Sequence, residues 1–233
     1  MKQEILIIMP VYNEEDMIET VIDDWLKLEV EIPIKILLIN DGSQDKSKDI
    51  IKKKITLNEK NLLLIDQVNA GHGSAILTGY RYAIQNGYEY IFQTDSDYQF
   101  RSKDFNKLWE KKDSEYDMLL GVRKSRNDSL LRVFLSKFIL RFVLMPLSGK
   151  FLIDANVPFR LINYNFLKKF LSILENKSFL APNILMSIYA KKIIHINVSH
   201  YKRSAGELNW SIKKLFNFGL KLIIEILQFV FRK

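Results

Sequence analysis

Cysteine is absent from this chain of 233 residues. That absence excludes a disulfide framework, a thiolate zinc site and a cysteine nucleophile together, and it suits a reducing compartment. Glycine and proline are scarce, at 9 and 5 residues, in a composition that is 48% hydrophobic. With no low-complexity tract or internal repeat, the chain reads as a folded protein with one good core, as a single domain or a domain with an appendage. Long apolar runs are missing too. A membrane span needs about 20 largely uncharged residues, and the best candidate, "SIKKLFNFGLKLIIEILQFVFRK" at 211–233, is interrupted midway by Lys221 and Glu225. The opening "MKQEILIIMPVYNEE" has a short apolar run that turns acidic, so it reads as a strand and no signal peptide is expected.

Acidic residues are scarce in one half only. Residues 121–233 hold 5 Asp and Glu against 20 Lys and Arg, a balance of +15, whereas residues 1–120 hold 22 against 15, a balance of −7. A basic half of this kind expects an anionic partner: phosphate, nucleic acid or an acidic membrane surface. The lysines of "IIKKKI" (50–55) read as an ordinary solvated face. Arg123, Arg126, Arg132 and Arg141 are instead interleaved with apolar residues. Nucleic acid is disfavoured, because these basic residues alternate with leucines and phenylalanines and line no aromatic platform.

Short apolar runs at 4–11, 34–40, 61–67, 88–94 and 116–122 have the character of strands buried in a parallel sheet. Amphipathic stretches near 14–28, 44–56, 73–86 and 102–112 lie between them. The alternation predicts an α/β fold, a mostly parallel central sheet with helices on both faces. Ligands of such folds gather at the carboxyl ends of the strands, and there the polar clusters fall: Tyr12-Asn13-Glu14, Asn40 to Ser43, Asn69 to Gly73, and Asp95 to Gln99. The second half predicts two amphipathic helices, at 129–149 and 211–233. The polar residues of the second recur in steps of three or four at 214, 217, 221, 225, 228 and 232. It is expected to lie in a membrane interface, with packing on the core or on a second copy as the alternative.

Asp95-Ser96-Asp97, followed by Gln99, closes the fourth strand-like run. Two like charges this close call for something positive. In an extended segment residues 95, 97 and 99 point one way, and two carboxylates with an amide oxygen suit Mg2+ or Mn2+ rather than zinc. "INDGSQD" (39–45) is a turn in which Ser43 or Asp45 could cap a helix and Asp41 could meet a nucleobase edge. In "NAGHGSAILTGY" (69–80), Gly71 and Gly73 would let backbone approach a ligand, and His72 reads as a loop residue.

"MPVYNEE", "INDGSQDKS", "NAGHGSAILTGY", "QTDSDYQF" and "DANVPFRL", in this order and at these separations, closely resemble the family 2 glycosyltransferases. The nearest branch is the one acting on dolichyl and polyprenyl phosphates, and the resemblance covers roughly residues 4–205. It implies the GT-A fold, a nucleotide-diphosphate sugar donor and a divalent metal, Mg2+ or Mn2+. Carried over residue by residue, Pro10, Tyr12 and Glu14 would flank the nucleoside, and Asp41 would meet the base. Gly71, Gly73 and Ser96 would line the nucleotide-sugar site. Asp95, Asp97 and Gln99 would hold the metal on the diphosphate. Arg123, Arg132 and Ser136 would lie near a lipid phosphate, and His200 and Arg203 near the donor phosphates. Residues 1–205 would form the transferase domain, with a nucleotide- and metal-binding half (1–120) and an acceptor half (121–205), and 206–233 the membrane-interface helix. Three departures stand out: Asn40 for a first aspartate, Phe100-Arg101 after the metal motif, and Pro158 where glycine is frequent.

The expected chemistry is inverting transfer of a sugar to a polyprenyl phosphate, at the cytoplasmic face of a membrane, by a peripheral or interfacially anchored enzyme. The metal and Arg203 would stabilise the departing diphosphate. A phosphate acceptor is already ionised and needs arginines more than a base. A sugar-hydroxyl acceptor, the second reading, would use a base, for which Asp154 is the candidate. A non-catalytic, membrane-peripheral nucleotide-binding protein is the third. Oligomerisation through the last helix stays open.

Overall fold

Ile5, Leu6, Ile7, Ile8 and Met9 are consecutive and wholly buried. A strand buried on one face alternates apolar and polar residues, so an unbroken run belongs in the middle of a sheet covered on both faces. The computed structural model, which describes residues 1–123, 140–175, 177–202 and 212–231, places this run there, in β1 (Lys2–Val11). β2 (Ile34–Asp41), β3 (Leu62–Gln67), β4 (Tyr88–Thr94), β5 (Met118–Arg123), β6 (Phe159–Asn163) and β7 (Ile193–Val198) complete the sheet. Its order is β3-β2-β1-β4-β6-β5-β7. Every neighbouring pair is parallel except those of β6, which runs antiparallel to β4 and β5.

Helices α1 (Ile18–Leu26), α2 (Ser47–Leu57) and α3 (His72–Gln85) are the crossovers of the first half. A 3-10 turn at Ser102–Asp104 leads into the short α4 (Phe105–Trp109). A π-helical turn at Leu140–Leu144 leads into α5 (Met145–Ser148), and α6 (Tyr164–Leu174), α7 (Pro182–Tyr189) and α8 (Ile212–Val230) follow. The strands expected in the first half agree with these bounds to within two residues. β6, β7, α6 and α7 were not singled out in the sequence. Arg160 explains β6: a charged residue second in "FRLIN" disguises a strand whose side chains are almost all buried.

The helix expected at 211–233 forms, and it rests on the domain. Leu222 and Ile226 are buried, and Phe218, Phe229 and Val230 pack against the same core. Glu225 accepts hydrogen bonds from the Leu180 backbone N–H, at 2.9 and 3.1 Å. A different stripe, Phe216, Leu220, Ile224, Leu227 and Phe231, faces outward. These steps of four, four, three and four keep one side of the helix apolar and exposed. No helix among the described residues is long and apolar enough to cross a membrane.

Two outcomes test this docking. Ile226→Ala should cost about 2–5 kcal/mol of stability, in the range of buried aliphatic truncations, while Leu220→Ala on the exposed stripe should stay within about 0.5 kcal/mol. Chemical denaturation measures both. Burial raises the pKa of Glu225, against the backbone N–H groups of Leu180 and Ala181 that lower it. A carboxyl raised on folding stabilises most below its unfolded value, and that contribution is lost as pH rises through the folded value. Between pH 4 and pH 7, Glu225→Gln should therefore remove part of the decline in the denaturation midpoint.

Candidate active site

β1 is the point from which connections depart in both directions, to β2 and β3 on one side and to β4 and its neighbours on the other. In an open α/β sheet the crevice outside the carboxyl ends at such a point is the natural ligand site. Pro10 to Glu14, Asp41 and Asp95 all leave strands at this edge. Because β6 is antiparallel, its starting residue Phe159 pairs with Thr94 at the end of β4. The segment 154–158 is thereby delivered to the same edge.

The loops after β1 and β2 are fastened to each other. Asn13 and Glu14 donate backbone N–H groups to the Ser43 and Ser47 hydroxyls, at 3.1 and 2.8 Å. Glu15 N–H donates to Asp45 Oδ2 at 2.9 Å, and Gln44 N–H returns to Asn13 Oδ1 at 2.8 Å. Asn13 adopts a positive φ of 53° to allow it. Asp45 also accepts from Ser47 N–H at 3.0 Å, but the N-cap of α2 is Lys46, so neither Ser43 nor Asp45 holds the cap position expected of them. Burial pushes the Asp45 carboxyl up, but the hydrogen bonds from Ser47 and Glu15 outweigh burial and the net shift is downward. Tyr12 is exposed and Pro10 is buried.

Asp41 is placed otherwise than expected. It is only 2% exposed. Oδ1 accepts from Gln67 Nε2 at 2.7 Å and from Ala70 N–H at 2.9 Å, and Oδ2 accepts from Gly71 N–H at 2.9 Å. In this conformation its carboxylate builds the loop at 69–71 rather than presenting itself to a base edge. Gly42 makes the approach possible: a Cβ there would lie 2.7 Å from Asn69 N. Gly73 also serves packing, since a Cβ would fall 2.0 Å from the Phe179 carbonyl oxygen. Gly71, at φ 90°, has open space around it.

The two aspartates do not lie on an extended strand. β4 ends at Thr94, the chain bends through 96–100, and Tyr98 takes a left-handed φ of 58°. Strand alternation is therefore not what relates Asp95, Asp97 and Gln99. Asp97 Oδ1 accepts from Gln99 N–H at 3.1 Å, a side-chain turn that shapes the bend. Gln99 Nε2 donates to the Tyr201 carbonyl at 3.3 Å, and Tyr201 N–H donates to the Gln99 carbonyl at 3.0 Å. The amide oxygen is thus the atom Gln99 could offer a cation. Ser96 Oγ donates to the Pro10 carbonyl at 2.9 Å, so these two residues tie the bend to β1. Asp95 and Asp97 are both half-buried.

Three neighbours of the bend had no distinctive signal in the sequence. His72, read as a loop residue, begins α3 with Nε2 3.6 Å from Asp95 Oδ1. Gln93 Nε2 donates to that same Asp95 oxygen at 3.2 Å. The guanidinium of Arg101 lies over the Tyr98 ring, 3.2 Å from its centroid. Among the described residues no set of three His, Asp or Glu could hold an ion by itself. Two carboxylates and one amide oxygen fit a hard cation whose remaining positions are filled by phosphate and water.

Arg123 and Asp154 meet each other. Nε and Nη2 of Arg123 both lie 2.7 Å from Asp154 Oδ2, and both side chains are largely buried. The guanidinium expected at an acceptor phosphate and the carboxylate expected as a base are here one ion pair. His200 is buried with its ring 5.3 Å from that of Phe100. Arg132, Ser136 and Arg203 lie outside the described residues, as does much of the helix expected at 129–149.

This arrangement defines a GT-A nucleotide-diphosphosugar transferase class of architecture: a mostly parallel sheet with an acidic bend at the carboxyl end of β4. The profile of the glycosyl transferase family 2 matches residues 6–175, and the chain belongs to that family. Undecaprenyl-phosphate 4-deoxy-4-formamido-L-arabinose transferase of Pectobacterium carotovorum is 29% identical over 224 residues, which cover 95% of this chain and 67% of that one. Its namesake from Proteus mirabilis is 26% identical over 223 residues, with 94% and 67% covered. Among solved structures, glucosyl-3-phosphoglycerate synthase from Mycobacterium tuberculosis in complex with Mn2+, uridine diphosphate and phosphoglyceric acid superposes with a TM-score of 0.72. Its sequence identity is 14%, and the match covers 98% of this chain and 79% of that one.

Asp41→Ala should release the 69–71 loop. Two backbone N–H groups on exposed residues would exchange their partner for water, at about 0.5–1.5 kcal/mol each. Hydrogen exchange at Ala70 and Gly71 should quicken selectively, and unchanged exchange there would contradict the assigned role.

Proposed function

We propose that this glycosyltransferase moves a sugar from a nucleoside-diphosphate donor onto a polyprenyl phosphate at a membrane surface. The observation that carries the reading is the acidic bend: Asp95 and Asp97 stand half-buried at the switch point of the sheet, where the loops after β1 and β2 form a fastened wall. Such an oxygen-only set suits Mg2+ or Mn2+, and the synthase described above was crystallised with Mn2+ and uridine diphosphate. When bound, the cation would offset the charge that develops on the departing diphosphate. Asp95 and Asp97 would hold it, with the Gln99 amide oxygen completing the protein's share. Tyr12 and Glu14 would border the nucleoside, with the 69–71 loop that Asp41 builds as the opposite wall. His200 and Arg203 would face the donor phosphates.

A phosphate acceptor is favoured over a sugar hydroxyl by one detail. Asp154, the candidate base, is 5% exposed and ion-paired with Arg123. A hydroxyl acceptor needs a carboxylate that can reach it and take its proton, whereas a phosphate monoester arrives ionised. Arg123, Arg132 and Ser136 would position that phosphate, with Asp154 holding the Arg123 guanidinium in a defined orientation until it does. Attack from the face opposite the leaving diphosphate inverts the anomeric carbon. The relatives named above are transferases to undecaprenyl phosphate, which supports the same acceptor class. The exposed stripe on α8 would seat on the lipid interface, alongside an excess of basic residues in the second half. A peripheral position on the cytoplasmic leaflet follows from a cytosolic nucleotide-sugar donor.

The test offers purified protein a panel of nucleotide sugars with polyprenyl phosphate and Mn2+ or Mg2+. The expected product is a lipid-linked sugar of inverted configuration, with Asp97→Asn lowering kcat by about 100-fold or more. Transfer to a soluble sugar with none to the lipid would sink the acceptor assignment. A Leu220→Glu, Leu227→Glu double variant should lose binding to vesicles rich in anionic lipid while transfer in detergent persists.

A further inference from the structure

Behind the acidic bend, hydrogen bonds link α3, α7 and β4 in one directed chain. The Tyr80 hydroxyl on α3 donates to Asn183 Oδ1 at 3.0 Å. Asn183 Nδ2, in the first turn of α7, donates to Gln93 Oε1 at 3.0 Å. Gln93 Nε2, on β4, donates to Asp95 Oδ1 at 3.2 Å. Tyr80, Asn183 and Gln93 are all buried, so solvent does not compete for these contacts.

Direction is the informative property. A side-chain amide can turn either its NH2 or its oxygen toward a neighbour. An oxygen turned toward Asp95 would repel the carboxylate, and an NH2 attracts it. The carboxylate, an acceptor only, therefore takes the Gln93 NH2. Burial raises the Tyr80 pKa well above the ordinary tyrosine value, with the Arg160 charge opposing and Asp95 reinforcing the shift. The phenol therefore remains an O–H donor. With the Gln93 NH2 on Asp95, its oxygen takes the Asn183 NH2, and the Asn183 oxygen is left to accept from the phenol. Bonds aligned head to tail also polarise one another.

We propose that Tyr80, Asn183 and Gln93 are positioning residues that fix one oxygen of Asp95 for a divalent cation, with the phenol closing the directed chain at its far end. The proposal rests on Asp95 being a cation ligand, as argued above. It assigns function to three buried residues that a packing role would leave interchangeable with apolar ones of similar size.

The experiment titrates Mn2+ into the full chain with saturating uridine diphosphate, following free Mn2+ by electron paramagnetic resonance across pH. Tyr80→Phe deletes one oxygen at the remote end and should raise the Mn2+ Kd several-fold. Tyr80→Phe, Asn183→Leu, Gln93→Met removes donors and acceptors together, so no buried group is left unpaired. It should raise Kd by about tenfold or more, the effect typical of groups that support metal ligands. Hydrogen bonding to a carboxylate favours its ionised form, so the acid-side midpoint of Mn2+ binding should move to higher pH in both variants. A merely structural role moves the melting temperature and leaves that midpoint in place. Unchanged Kd and midpoint in both variants would overturn the proposal, and so would a response to the triple variant with none to Tyr80→Phe. If the triple variant fails to fold, Tyr80→Phe alone decides by the same two readouts. Asp95→Asn and Asp97→Asn separate the two levels. Should they leave Mn2+ binding intact, the metal reading itself falls, whereas their loss of binding beside inert Tyr80→Phe and triple variants sinks only the chain.

Discussion

Carboxylates gathered at the end of an apolar sheet must each be answered by a donor or a cation, and the architecture of this edge follows from how that is done. An ionised carboxylate half out of water is costly unless hydrogen-bonded or paired. Asp41 is answered by its own backbone, through the N–H groups of Ala70 and Gly71 and the Gln67 amide. Asp154 is answered by Arg123. Asp97 draws on Gln99 N–H, and Asp95 on Gln93 with His72 close by. The first two are enclosed and the last two half-buried. That contrast separates structural acids from those left facing the crevice, a distinction that residue type alone cannot make.

Much of this was legible in the sequence because parallel-sheet strands carry a strong signal. Runs such as Ile5 to Met9 are apolar on both faces, and their ends are marked by an abrupt change to Asn, Asp and Gly. The polar ends fall together, since topology sends every strand of the first half out at the same edge. What was not legible depended on partners distant in sequence. Asp41 reads equally as a ligand or as a loop anchor until the chain returns 28 to 30 residues later to engage it. The strand alternation expected to relate Asp95 and Asp97 fails, because β4 ends at Thr94 and Tyr98 turns left-handed. Gly73 was assigned to a ligand and belongs to the contact with Phe179 and Leu180. The amphipathic pattern of the last helix found the helix but not its two apolar sides. Period alone cannot tell a side covered by Leu222 and Ile226 from one bearing Leu220 and Leu227.

Arg160 shows why the second half of the edge holds its shape. It is fully buried at the start of β6. Among the described residues no carboxylate is one of its hydrogen-bond partners: Nε and Nη2 donate to the Val157 carbonyl at 3.2 and 2.5 Å, Nη1 to the Asn183 carbonyl at 3.1 Å, and Nη2 to Ala155 O at 3.4 Å. One guanidinium thus gathers the loop after Asp154 and the first turn of α7. Burial lowers its pKa, while Tyr80, Asp154 and Asp95 act in the opposite sense. A buried cation without a contact ion pair is expensive, and an apolar residue would fill the space at less cost. The fork of donors is what an apolar residue lacks, for it satisfies two loop carbonyls, of Ala155 and Val157, and one in the first turn of α7. Its charge also lies behind acids that otherwise repel one another. The cost is therefore offset at two places: in the backbone of 155–157 and 183, and in the field at Asp95 and Asp154. Because Asn183 is both an acceptor for Arg160 through its carbonyl and a link to Gln93 through its side chain, the same residue couples the loop beside Asp154 to the carboxylate of Asp95. The two sides of the crevice consequently share one buried polar cluster.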